Sequence, residues 1–129
     1  MPRHKIDPAE LKRAVARLPE YPAVLTPGVG GGFEVVFPNF AKLTAYGVGR
    51  EPALTAAREM LSAHLQVLLE AGDQPPRPSD PARLARDEDE PAGVELIMIT
   101  PDRGAILRRL GLGREDRGLA LASLGRLGR

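Results

Sequence analysis

Residues 21–37 read Tyr-Pro-Ala-Val-Leu-Thr-Pro-Gly-Val-Gly-Gly-Gly-Phe-Glu-Val-Val-Phe. The stretch joins two apolar runs through a glycine cluster. Tyr21 to Leu25 and Phe33 to Phe37 carry the β-branched and aromatic residues that suit strands. Pro27 to Gly32 lies between them, and its glycines permit the positive φ angles of a tight reversal. Pro38 ends the second strand, because proline has no N–H for a ladder. Asn39 to Lys42 connects to a shorter, weaker strand, Leu43 to Val48. A long helix is predicted from Glu51 to Ala71. Its Leu54, Ala57, Leu61, Leu65 and Leu68 recur at three- and four-residue spacing, which gives one apolar stripe. Pro52 is tolerated in the first turn, and Gly72 is a natural stop. The order strand, turn, strand, strand, helix predicts a small α+β unit over Tyr21–Ser79: an antiparallel sheet of three to four strands with one long helix packed across it.

Outward from this block, Asp7-Pro8-Ala9-Glu10 has the spacing of a capping box with proline at the first helical position. Leu11, Ala14, Val15 and Leu18 then share one face, and Pro19 ends this short N-terminal helix. On the other side, Gln74 to Pro81 contains four prolines and reads as an extended linker. Asp87-Glu88-Asp89-Glu90 is a run of four acids. Val94 to Thr100 is a nearly unbroken apolar run, the pattern of a strand buried on both faces, and so of an inner strand. Pro101 to Leu110 suits one short helix with Asp102 in its first turn. Five glycines from Gly111 onward interrupt any further helix. The expected organisation is a helical extension over 1–20, an α+β domain over 21–100 that includes the linker 74–93, and an Arg/Gly-rich, weakly helical tail over 101–129.

Composition narrows the chemistry. The chain has 129 residues, a formal net charge of +1 and no cysteine. Thiolate metal sites, cysteine nucleophiles and disulfides are excluded, and a cysteine-free chain fits a reducing cytoplasm. No apolar run approaches the roughly 18 residues of a membrane span. Met-Pro-Arg-His-Lys-Ile-Asp lacks the apolar core of a secretory signal. His4 and His64, the only histidines, have no partners at metal-ligand or acid–base spacing, and His64 reads as a packing residue near the Leu61/Leu65 stripe. Gly28 to Gly32 is followed by Phe33 and a strand, not by the Lys-Ser/Thr and helix of a phosphate loop. No catalytic, cofactor-binding or metal residues are therefore expected.

Four segments together resemble the HicB-type antitoxins. They are Tyr21-Pro22-Ala23-Val24, Phe33 to Phe40, Ala53-Leu54-Thr55-Ala56-Ala57, and Glu70-Ala71-Gly72-Asp73-Gln74-Pro75-Pro76. The resemblance lies in their order and spacing, not in any single motif. It implies a partial RNase H-like fold and a non-catalytic role: binding and neutralising a small basic HicA-type toxin that cleaves messenger RNA. An active RNase H-like nuclease needs carboxylates clustered on adjacent strands to hold metal ions. Here the first strand has none and the second has only Glu34, which alternation places opposite Phe33, Val35 and Phe37, facing solvent. An orphan interaction module of the same fold, binding nucleic acid weakly through its tail, is the alternative. The chain departs from the family pattern after the second strand, where Asn39-Phe40-Ala41-Lys42-Leu43 stands in place of the usual Asp-Leu-Pro-Gly-Cys. Its C-terminal segment is also short and glycine-rich where relatives carry a DNA-reading module.

Two charged features are the candidate contact sites. Asp87, Glu88, Asp89 and Glu90 could occupy the basic, RNA-gripping surface of a toxin. The tail from Pro101 carries seven arginines against three acids, and Arg108, Arg109, Arg114 and Arg117 are candidates for phosphate contact without base readout. An exposed sheet edge further predicts self-pairing, and so a homodimer.

Overall fold

A computed structural model describes residues 7–84 and 93–112. The order of elements is α1 (Pro8–Ala16), β1 (Tyr21–Pro27), a 3-10 turn (Val29–Gly31), β2 (Gly32–Val36), β3 (Thr44–Val48), α2 (Arg50–Glu70), a second 3-10 turn (Pro81–Arg83), β4 (Glu95–Ile99) and α3 (Arg103–Arg109). The four strands form one antiparallel sheet in the order β3-β2-β1-β4. This is the α+β architecture that the spacing of apolar segments predicts. The described residues fall into two compact units. One comprises 19–61 and 76–101 and holds the sheet with the first half of α2. The other comprises 7–18, 62–75 and 102–112.

In the sheet unit, register decides which side chains share a face. Leu25 stands beside Val35 and Val35 beside Ala45, while Tyr21 stands beside Ile99. Tyr21, Ala23, Leu25, Val35, Phe37 and Ala45 are all buried, as are Ala53, Ala57 and Leu61 on α2. The buried positions of α2 continue through Leu65 and Leu69 at every fourth residue. Leu54 and Leu68, expected within the stripe, flank it half-buried instead. The helix comes unusually near β3. A Cβ at Gly47 would lie 2.5 Å from the Ala53 nitrogen and 2.7 Å from its Cα, so no larger residue fits there without moving the helix.

The linker is fastened to this unit by polar contacts. The Tyr21 hydroxyl donates to the Pro76 carbonyl at 2.6 Å. The Asn39 side-chain amide donates to the Arg77 carbonyl and to Ser79 Oγ, both at 3.0 Å, and its oxygen accepts from the Ser79 N–H at 3.1 Å. Around Asn39, the Phe40 N–H bonds the Phe37 carbonyl and the Leu43 N–H bonds the Phe40 carbonyl. Lys42 completes the bend with φ of 67°. The reversal is made here by a lysine in the left-handed region, a strained choice for a residue with a Cβ. Phe40 also packs edge-on against Tyr21, with ring centroids 4.8 Å apart.

The second unit is built from capped helices. Asp7 and Glu10 form the predicted capping box on α1. At the end of α2, Gly72 has φ of 78°. Its N–H bonds the Leu69 carbonyl while that of Asp73 bonds Leu68, the paired contacts of a glycine-terminated helix. Gly111 ends α3 in the same way, through Gly111 to Arg108 and Leu112 to Leu107. Ser62 Oγ accepts from the Asp102 N–H at 2.8 Å, and Asp102 Oδ1 accepts from the Ala105 N–H at 3.0 Å, capping α3. Val15, Leu18, Leu65, Leu69, Ile106 and Leu112 supply the apolar interior of this unit.

One expectation is corrected. The apolar run at Val94–Thr100 predicts an inner strand, yet β4 is an edge strand, paired only with β1. Leu96 and Ile97 are half-buried and Met98 is 41% exposed. An apolar pattern on both faces reports what the side chains prefer, but strand order depends on which backbone edges are already used. The inner positions belong to β1 and β2.

Two outcomes follow from these contacts. Gly47→Ala will lower stability by about 2 kcal/mol or more, because the added methyl meets helix backbone that has no rotamer to change; thermal or urea unfolding measures it. Tyr21→Phe will cost about 1 kcal/mol by leaving the Pro76 carbonyl without its donor. Burial also raises the Tyr21 phenol above its usual range. A folded-state value above the unfolded one means that Tyr21 contributes stability fully below about pH 10 and loses it as pH rises through the raised value. The alkaline fall in stability should therefore be shallower in Tyr21→Phe than in the wild type.

Candidate functional site

The charged candidates from the sequence do not converge. Asp87, Glu88, Asp89 and Glu90 lie outside the described residues, as do Arg114, Arg117 and His4. Arg108 and Arg109 occupy the last turn of α3 and are exposed. Cations there oppose the negative end of the helix dipole, which gives them a structural role as well. His64 is half-buried on α2. Glu34 is exposed, and register sets it beside Tyr46 on β3 and Thr26 on β1, neither of them an acid. Among the described residues, no group of three or more histidines and carboxylates is placed to hold a metal ion. No helix among them is long and apolar enough to cross a membrane.

The sheet itself carries the informative surface. On β3 the usual distribution of sizes is inverted. The residues turned toward α2 are Ala45 and Gly47, and those turned away are Tyr46, 62% exposed, and Val48, 71% exposed. The tyrosine ring lies directly over Gly32 on the neighbouring strand. On this outer face Val24, Val36 and Leu96 form a half-buried apolar row, aligned by the register Val36 to Val24 to Leu96. Singly exposed apolar residues are ordinary; here they adjoin a half-buried apolar row on one face of the sheet. The sequence carried the signal in the small residues Ala45 and Gly47 alternating with large ones. Without knowing which face the helix covers, that alternation reads only as a weak strand.

The two sheet edges differ in their surroundings. Beside β4 runs a shallow groove of about 230 Å³ lined by Leu54, Thr55, Arg58, Met98, Ile99 and Thr100. Arg58 Nε donates to the Thr100 carbonyl at 2.9 Å, and the Thr100 hydroxyl donates to Glu20 at 2.7 Å. At the opposite end of β4, Arg50 pairs with Glu95 at 2.9 Å and with Glu51 at 3.3 Å. The hydrogen bond and charge of Glu95 raise the Arg50 guanidinium above its usual value. The pair is well exposed and adds little stability. The chemistry of this arrangement is that of a surface: backbone donors and acceptors at an edge, apolar side chains beside them, and arginines at both ends.

No protein-family model and no curated protein sequence matches the chain. Solved structures do. The antitoxin HicB of Burkholderia pseudomallei superposes with a TM-score of 0.56 at 21% identity, over 66% of this chain and 64% of that one. A toxin-antitoxin complex from Streptococcus pneumoniae gives 0.58 at 24% identity, over 67% of this chain and 71% of the matched chain. The isolated N-terminal domain of the Burkholderia pseudomallei antitoxin gives 0.57 at 24% identity, over 65% of this chain and 99% of the domain. The match therefore spans nearly all of that N-terminal domain but less than two thirds of the complete antitoxin. The chain has the HicB-type fold.

Proposed function

We propose that this chain is a HicB-type antitoxin that binds and neutralises a small basic HicA-type toxin, an enzyme that cleaves messenger RNA, without itself catalysing a reaction. The observation that carries the reading is a HicB-type sheet whose acid on β2 stands alone: Glu34 is exposed, with Thr26 and Tyr46 as its register neighbours. Metal-dependent hydrolysis of RNA needs carboxylates in a cluster. The same fold occurs in a chain of a toxin-antitoxin complex. Inhibition then consists of covering the toxin's RNA-binding face. The protein works where messenger RNA is translated, in the cytoplasm.

Within this reading Asp87, Glu88, Asp89 and Glu90 engage the toxin's basic face in place of RNA phosphates, with electrostatic steering that speeds the encounter. Arg108 and Arg109, with Arg114 and Arg117, add phosphate contacts that do not discriminate sequence.

The adjoining reading frame should encode a basic protein of roughly sixty to ninety residues, a size for which one small folded domain suffices. Its induced expression should arrest growth, and co-expression of this chain should relieve the arrest. Purified together, the two should form a complex. Failure to bind such a toxin at micromolar concentration would refute the antitoxin role, and RNA cleavage by the purified chain with Mg²⁺ would refute the non-catalytic one. Replacing residues 87–90 by Ser and Asn should weaken toxin binding about tenfold at low salt and flatten its salt dependence. Unchanged affinity and salt slope would remove the acidic run from the interface.

A further inference from the structure

We infer that Pro76–Ser79 is a strap latched at both ends: the Tyr21 hydroxyl and the Asn39 amide hold it shut together, and it opens as one unit while the four-stranded sheet stays closed. The latch belongs to the chain alone and stands whether or not a toxin binds it.

The sequence keeps this segment out of the sheet. Of residues 76–79, only Arg77 and Ser79 carry a backbone N–H. The ladders join β1, β2, β3 and β4 and do not include them. Four hydrogen bonds from two side chains hold the strap instead. Tyr21 grips the Pro76 carbonyl at one end. Asn39 takes the other, donating to the Arg77 carbonyl and accepting from the Ser79 N–H. A carbonyl and an N–H two residues apart are what one residue of a parallel strand meets on its neighbour. The Asn39 side chain thus stands in for a strand at a place where Pro78 has no N–H to pair.

The two anchors are also joined to each other. Asn39 is the third residue of a turn closed by the Phe40 N–H on the Phe37 carbonyl. Pro38 fills the second position, which its fixed φ suits. The next residue, Phe40, packs edge-on against Tyr21 at 4.8 Å and lies 6.3 Å from Phe37. A shift of the Asn39 turn is therefore felt at the ring that braces Tyr21. All three aromatic rings are buried. Opening the strap returns the Tyr21 hydroxyl to water and frees the connection between α2 and β4 without breaking a strand pair.

The energies separate the two events. Proline keeps a segment extended whether or not it is held, because its φ is fixed, so closing the strap orders few dihedrals. Releasing four side-chain hydrogen bonds costs far less than exposing a core that contains Leu25, Val35, Phe37 and Leu61. The strap therefore opens below the free energy of global unfolding.

Native-state hydrogen exchange reads the latch at one proton, the Ser79 N–H. In the full chain this proton should be protected, but about 100-fold less than the ladder amides of β1 and β2. Its opening should be insensitive to low denaturant, because little surface is exposed. Tyr21→Phe removes the bond at Pro76 and leaves the Asn39 acceptor in place. It should nonetheless speed Ser79 exchange about fivefold, still without denaturant dependence. An unprotected Ser79 N–H in the wild type would show that the latch is not closed, and protection equal to that of the ladder amides would show that strap and sheet open only together. Either result, obtained without any variant, would overturn the proposal. So would an unchanged Ser79 rate in Tyr21→Phe, which would make the two anchors independent.

Discussion

The close approach of α2 to β3 is the constraint on which the sheet unit depends. Helix backbone at Ala53 comes so near Gly47 that not even a methyl group fits between them. This sets the residue sizes around it. Ala45 on the strand and Ala53 and Ala57 on the helix are all small and buried, while the bulk of the core is displaced toward Tyr21, Leu25, Phe37 and Leu61. A sheet and a helix normally stand apart by the thickness of two side-chain layers; here one end of the contact has almost no side chains. The large residues of β3 are consequently on its other face. Tyr46 and Val48 are exposed because the inner face has no volume for them, and Tyr46 recovers part of its contact by lying across Gly32.

The sequence made the elements legible wherever the signal was local. The capping box at Asp7 and Glu10, the stop at Gly72 and the glycine reversal after Pro27 each depend on a few neighbouring residues, and each appears where expected. What depended on partners distant in sequence was harder to read. The stripe on α2 runs through Ala53, Ala57, Leu61, Leu65 and Leu69, and not through Leu54 and Leu68, because alanines mark the near end and hydrophobicity alone favours the leucines. The reversal at Lys42 carries no glycine, so its positive φ was invisible; it is imposed by the bonds that close Phe37, Phe40 and Leu43 around it. Glu34 was correctly placed at the surface, since period-two alternation needs no knowledge of the partner strand.

The outer face of the sheet was the least legible part. The sequence drew attention to charge, and charge runs are conspicuous in one dimension. An exposed apolar face becomes visible only when register brings Val24, Val36 and Leu96 into one row and sets Tyr46 and Val48 beside it. The HicB-type likeness raises the same issue at the level of function. A shared fold at this degree of identity fixes the arrangement of the sheet and helix but leaves the surface residues to each chain.

The mismatch at β4 connects these points. The sequence reading expects an inner strand and the structure places it at the edge, because one describes what the side chains prefer and the other depends on which backbone edges are already used. Apolar residues on both faces are costly at a solvated edge, and unprotected edge strands invite pairing. The register of β1 with β4 leaves Leu96 and Met98 with backbone groups directed away from the sheet, where no strand of the described residues stands.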